Sequence, residues 1–333
     1  MEADDTRKVL PENMQAEIGI SRRARAQAHK KSFIHTTLIR PATAGPMTVT
    51  VLSIVAALTS IIPNGHWLML TIPVLAAILL ALQWPQLTGT PTSVFGQAGI
   101  VFGALVSNVA VSVVKDLYWI TLLTALLVVL VLIAEVLSAP RPIDHSQVFS
   151  RGESAGTKRI STHVGFSPTW PTQATTATIV ASVTGLLIAM SGSTWTGMSV
   201  SPRWAFAIPF TAFTVITASW AMRLGSRQWI NVLCCFTCTI AAGIGSMMFF
   251  AQAVQTSRIN AVMHVLSFGA GTSLHVGVVI LGVLLGGTVA VVVTVIDRLF
   301  AERWASSTSR AAAIGALIFL TATFPIYALI RLG

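Results

Sequence analysis

The sequence predicts an all-α polytopic integral membrane protein, and three observations lead there. The 333 residues are 54% hydrophobic and only 10% charged, where a soluble domain carries roughly 25% charged residues, and the mean hydropathy is +0.76. The apolar residues gather in runs of about 20, the length a helix needs to cross a hydrocarbon core of about 30 Å. The basic residues gather between those runs and mostly on one side of them. Lipid offers the backbone no hydrogen-bonding partner, so segments of this kind must be helical.

Residues 1 to 43 form a polar arm. Its second part carries Arg22, Arg23, Arg25, Lys30, Lys31 and Arg40 with no acid among them, a composition that fits the anionic cytoplasmic leaflet. The arm is too long and polar for the start of a cleavable signal, so the first span is expected to stay as an anchor. The formal charge of +10 would point a soluble protein toward nucleic acid. Here membrane orientation accounts for the cations, and no nucleic-acid partner is expected.

About nine transmembrane helices follow, at 44 to 63, 67 to 84, 94 to 114, 117 to 138, 173 to 193, 204 to 222, 229 to 252, 272 to 296 and 311 to 330. With the N-terminus inside, 17 of the 21 Lys and Arg fall on the cytoplasmic side, and only Lys115, Arg203, Arg258 and Arg331 fall outside. That asymmetry predicts a cytoplasmic N-terminus and an outside C-terminus, in a plasma (inner) membrane.

Loop lengths organise the spans. The turns Asn64-Gly65-His66 and Lys115-Asp116 are short enough to force antiparallel hairpins. Residues 139 to 172, with Pro140, Pro142, Pro168 and Pro171, read as a cytoplasmic linker between two four-helix halves, 44 to 138 and 173 to 296. The remainder, 297 to 333, is a turn and a ninth helix left over at the end. Ile72-Pro73 and Ile208-Pro209 are each followed eleven residues after the proline by a tryptophan, Trp84 and Trp220. This match predicts a parallel 4+4 repeat plus a C-terminal helix. Pro73 and Pro209 are expected to kink the second helix of each half, and Trp84 and Trp67 to anchor at the interfaces.

The small-residue spacings Gly99-xxx-Gly103 and Gly282-xxx-Gly286 mark close helix approaches. Glu135 is the one acid inside a predicted span, about a turn from its cytoplasmic end; Asp297 closes the eighth span in the same way. A carboxylate at that level can pair with Arg or serve as a proton or cation site. Gln97 and Asn108 in span three, Asn231 and Gln252 in span seven, and His275 in span eight are costly in lipid unless they face inward. Together with Glu135 they are the candidate substrate or coupling residues, and spans three and seven are expected to share a polar seam.

Other chemistries are disfavoured. Cys235-x-x-Cys238 lies in an apolar helix without a second pair, and buried neutral thiols account for it. His264 and His275 are separated by a glycine-rich turn, so no metal is expected, and no cofactor motif is present. The outer face offers Asp116 as its one carboxylate, too little for a lipid-linked glycosyltransferase. Residues 259 to 266 have a rough helical period and could form a lid on the outer surface. The expectation is a non-enzymatic, multi-pass permease or exporter of a small compound, amphipathic in character. The alternative is a non-catalytic subunit or assembly factor of a larger membrane complex, with a membrane-embedded lipid-modifying enzyme third. Partners expected are the bilayer itself, anionic lipid at the arm, and a protein partner or second copy of the chain.

Overall fold

The computed structural model describes residues 41–63, 65–90, 92–114, 118–138, 170–200, 205, 207–225, 227–253, 274–301 and 307–332. The arm before residue 41, most of the linker and the proposed lid lie outside the described residues. The described elements are all helices: α1 (Pro41–Ile61), α2 (His66–Thr88), α3 (Val94–Val114), α4 (Tyr118–Ser138), α5 (Trp170–Ser191), α6 (Ser193–Val200), α7 (Ala207–Ala221), α8 (Gln228–Ala253), α9 (Leu274–Leu299) and α10 (Thr308–Leu332). Among the described residues seven helices are long and apolar enough to cross a membrane, with α5 and α6 counting as one from Thr175 to Val200. The apolar stretches of α4 and α7, Leu122–Leu137 and Ala207–Ala221, are shorter. The outward faces carry Leu58, Leu82, Leu122 and Val136, apolar side chains suited to lipid rather than water.

Helix ends have local causes. The second helix carries Pro85 inside its last turn, runs three residues past it and stops at Gly89, whose φ of 72° is left-handed and whose N–H donates to the Pro85 carbonyl at 2.9 Å. A glycine there adopts the left-handed turn without the strain of a side chain. Ser93 caps α3: its Oγ accepts from the Gly96 N–H at 2.9 Å, satisfying one of the donors that every helix start leaves open.

The organising element is the last helix. In α10, 67% of the apolar window is buried, against 44% for the next most buried, α2. Residues 313 to 320 are buried without interruption, so the helix is apolar all round because it is surrounded. It packs against α1, α2 and α9, and against α5, α6 and α7 in turn. Ala311, Ala313, Gly315 and Ala316 keep its surface thin. A Cβ on Gly315 would collide with the Gly45 carbonyl of α1 and stand 3.0 Å from Thr48 Cβ. The expectation that the ninth helix is an appendage is therefore corrected: it is the hub.

The tightest pair is α8 with α9. Gly282 and Gly286, flagged by their spacing, meet Gly243 of α8. A Cβ on Gly282 would stand 2.5 Å from Ile244 Cα, and one on Gly286 would stand 2.6 Å from Ile240 Cα. Backbone thus touches backbone, and the pairing of lower with higher numbers makes the helices antiparallel. Gly99 and Gly103 act differently, receiving side chains, Val131 of α4 and Leu186 of α5.

The matched motifs of the two halves are not equivalently placed. Pro73 lies inside α2, whereas Pro209 is the third residue of α7, where its missing N–H has no helical acceptor anyway. The expected kink at Pro209 is thus corrected. Trp84 is 2% exposed and Trp220 39%, so Trp84 is a core residue and not an interfacial anchor. Trp67, 60% exposed, faces outward as expected.

Candidate functional site

Two features stand side by side at one end of the bundle. The first is built around Glu135, the fourth residue from the end of α4 and only 4% exposed. Its Oε1 accepts from Ser182 Oγ of α5 at 2.6 Å and from Ser93 Oγ at the start of α3 at 2.9 Å. Three helices thus converge on one carboxylate oxygen. The niche exists because residue 96 is glycine: a Cβ there would overlap Glu135 Oε1 and come within 2.5 Å of Ser182 Oγ. Hydrogen bonds to an ionised acceptor are roughly twice as strong as neutral ones, and burial needs such compensation.

The second feature is an open groove of about 760 Å³ between α2, α5 and the end of α9, walled by Trp84, Leu87, Val180, Ala181, Leu299 and Phe300, with hydroxyls from Thr88, Thr176 and Thr184. Trp84 lies across α5 at Gly185, where a Cβ would stand 2.9 Å from its Nε1, and that N–H donates to the Ala181 carbonyl at 2.8 Å. Ala181 and Ser182 are consecutive, so one turn of α5 holds the groove wall on one side and Glu135 on the other.

The break between α5 and α6 is clasped to the hub. Gly192 sits against Leu320 and Pro73. Ser191 Oγ donates to the Leu320 carbonyl at 3.0 Å, Trp195 Nε1 to the Phe319 carbonyl at 3.0 Å, and the Thr194 and Thr323 hydroxyls are 2.7 Å apart. Trp195 stacks on Phe319 with ring centroids 4.6 Å apart. Carbonyls already used within a helix have a second lone pair, which these donors occupy.

The other predicted residues scatter. Asn108 is fully buried, but it bonds the Ala104 carbonyl and the Thr196 hydroxyl of α6. Asn231 Oδ1 accepts from the Gly225 N–H at 2.6 Å and so clasps the turn before α8. The expected seam between spans three and seven is corrected, since α3 packs on α2, α4, α5 and α6 and α8 on α7 and α9. Gln97 is half-buried near the start of α3. The side chains of Gln252 and His275 lie outside the described residues. Asp297 pairs with Arg223 at 2.9 Å; burial lowers the Arg223 guanidinium from its ordinary value and Asp297 pulls it back up. The three cysteines are free thiols, and among the described residues no cluster of His, Cys, Asp and Glu could hold a metal.

Sequence reasoning missed Ser93, Gly96 and Ser182. Ser93, standing before an apolar run, has the signature of a helix cap, so its position was readable though its second bond was not. Nothing local marks Ser182.

Fold and site together define a polytopic all-α membrane protein with a buried carboxylate beside an apolar groove. Comparison of the chain with models of protein families, with curated proteins and with solved structures finds no match.

Proposed function

We propose that this chain is a multi-pass permease or exporter of a small amphipathic compound, bound in the groove between α2, α5 and α9. The supporting observation is the groove itself. Its walls are apolar and its hydroxyls few, the composition that takes an amphiphile's hydrocarbon part and orients its polar part. The arm rests on anionic lipid at the cytoplasmic face of the plasma membrane, with the C-terminus outside. The test is transport of fluorescent amphiphiles into proteoliposomes of the purified chain. Val180→Trp, which narrows the groove from its exposed side, should abolish uptake while leaving the elution profile unchanged. Equal uptake by this variant, or by empty liposomes, overturns the reading.

One observation favours the alternative, a non-catalytic subunit of a membrane complex. Glu135 and Asp297 are the two acids among the described residues, and Asp297 is committed to Arg223, whereas coupled pumps commonly carry several intramembrane carboxylates. A second protein retained at fixed stoichiometry through purification would decide for it.

A further inference from the structure

The groove changes character along its length. Thr88 and Thr176 stand at its mouth, by the end of α2 and the start of α5, and Trp84, Val180 and Ala181 lie one turn further in. The inner wall is apolar and open sideways. Val180 is 59% exposed and Leu299 70%, and the outward faces of α5 and α9 continue with Leu187 and Val295. A hydrocarbon chain already in the bilayer can lie in such a groove without passing through water.

The mouth is basic. Arg298 is exposed and directly precedes the wall residue Leu299. Arg310, at the start of α10, donates from Nε to Gln86 Oε1 at 2.9 Å, and Gln86 directly precedes the wall residue Leu87. In sequence, residues 297 to 310 hold Arg298, Arg303 and Arg310 against Asp297 and Glu302. Asp297 is paired with Arg223, so three guanidiniums stand against one carboxylate, and the excess is positive wherever Glu302 lies.

We propose that the groove takes one acyl chain of an anionic phospholipid from the bilayer, with the lipid phosphate held at Arg298 and Arg310. A guanidinium offers phosphate oxygens two parallel N–H donors. Each such cation near a membrane surface favours anionic over neutral lipid by about five-fold. The hydroxyls of Thr88 and Thr176 suit the ester oxygens that join the phosphate to its chains. The inference rests on the groove being the binding site, and it names the class of amphiphile that the site selects.

The test is quenching of tryptophan emission by lipids brominated on the acyl chain, with the purified chain in nanodiscs of phosphatidylcholine. The mole fraction of brominated phosphatidylglycerol, or of brominated phosphatidylcholine, is raised in steps. The Trp84 signal is the difference between the wild-type chain and Trp84→Phe. Trp220, 39% exposed and on the helix whose end is tied to α9 by the Arg223–Asp297 pair, reports surrounding lipid in the same way through Trp220→Phe. Trp84 is expected to reach half-quenching at a mole fraction of brominated phosphatidylglycerol at least about five-fold below that of brominated phosphatidylcholine, with a smaller separation at Trp220. Arg298→Gln and Arg310→Gln should each reduce the Trp84 preference by about five-fold, and Val180→Phe, which fills the groove from its exposed side, should bring it down to the Trp220 level. Equal curves for the two lipids at Trp84, or a preference no greater than at Trp220, overturn the lipid site. A preference untouched by both arginine variants overturns the head-group contact, and one that survives Val180→Phe overturns the placement in the groove. Failed uptake of fluorescent amphiphiles with the Trp84 preference intact counts against the permease and not against the lipid site, whereas uptake that proceeds with equal curves counts against the lipid site alone.

Discussion

Replacing Gly96 by Ala tests the carboxylate niche with a single methyl group. The new Cβ would overlap Glu135 Oε1 and stand 2.5 Å from Ser182 Oγ, well inside van der Waals contact. Either the carboxylate withdraws and surrenders both hydroxyl bonds, or α3 moves away from α4 and α5. Interhelical polar contacts in membranes are worth about 0.6–1.7 kcal/mol each, and hydrogen bonds to a charged group about 1.5–3. Losing two therefore costs between roughly 1 and 6 kcal/mol, centred near 3. Gly99→Ala is the control on the same helix. Its Cβ would meet only Val131 Cγ2, at 2.9 Å, the end of a side chain that can shift, while Ala favours the helix by about 0.5–1 kcal/mol over Gly. Unfolding in mixed micelles of rising SDS fraction, followed by circular dichroism, should place Gly96→Ala well below wild type and Gly99→Ala near it. Adding Ser182→Ala to Gly96→Ala should relieve part of the loss. If Gly96→Ala unfolds at the same SDS fraction as Gly99→Ala, the niche is not the constraint described here.

The same assay distinguishes two adjacent glycines of α9. Gly286→Ala presses on the Thr239 carbonyl and Ile240 Cα, whereas a Cβ on Gly287 meets nothing within 4 Å, so the first should lose about 1–3 kcal/mol and the second stay within about 0.5. Gly89→Ala, forced into a φ of 72°, should cost about 1 kcal/mol and fray the end of α2, read as faster amide exchange at Thr88. Trp84→Phe removes the bond to Ala181 and should lower stability by about 1 kcal/mol, with mean tryptophan emission moving to the red as a buried indole is lost, a shift absent from Trp220→Phe. Asp297→Asn leaves Arg223, 25% exposed, without its anion and should cost about 1–3 kcal/mol, a loss that Arg223→Gln in the same chain should partly restore.

Much of the site was half legible. Glu135 stood out because an acid inside an apolar run is costly wherever it points, and that cost is a property of one position. Its partners were not legible, since Ser93 and Ser182 are ordinary serines 42 and 47 residues from Glu135, and only the crossing of α3, α4 and α5 brings them together. Asn108 and Asn231 were singled out as candidate substrate or coupling residues because an amide in lipid must face inward, and Asn108 is fully buried. Pairing their helices was wrong, because each amide found a nearer donor or acceptor, Thr196 for one and Gly225 for the other. The doubled Ile-Pro motif misled for a related reason. The same three residue types recur, but Pro209 opens its helix and Pro73 interrupts one.

What the chain determined by itself is the solvent it folds in and the stretches that become helices. Both follow from sums over neighbouring residues: the transfer of apolar side chains to lipid, and the need of each backbone group for a partner within its own segment. The tertiary structure alone decided which helix lies at the centre. In lipid the apolar effect does not sort helices by burial, and association follows how closely surfaces can approach. Gly315 against Gly45 and Gly286 against Thr239 are relations between distant segments, with no counterpart in either segment read alone. That is why the helix that looked left over became the hub, and why a buried carboxylate at the edge of one span came to lie one α5 turn from the groove.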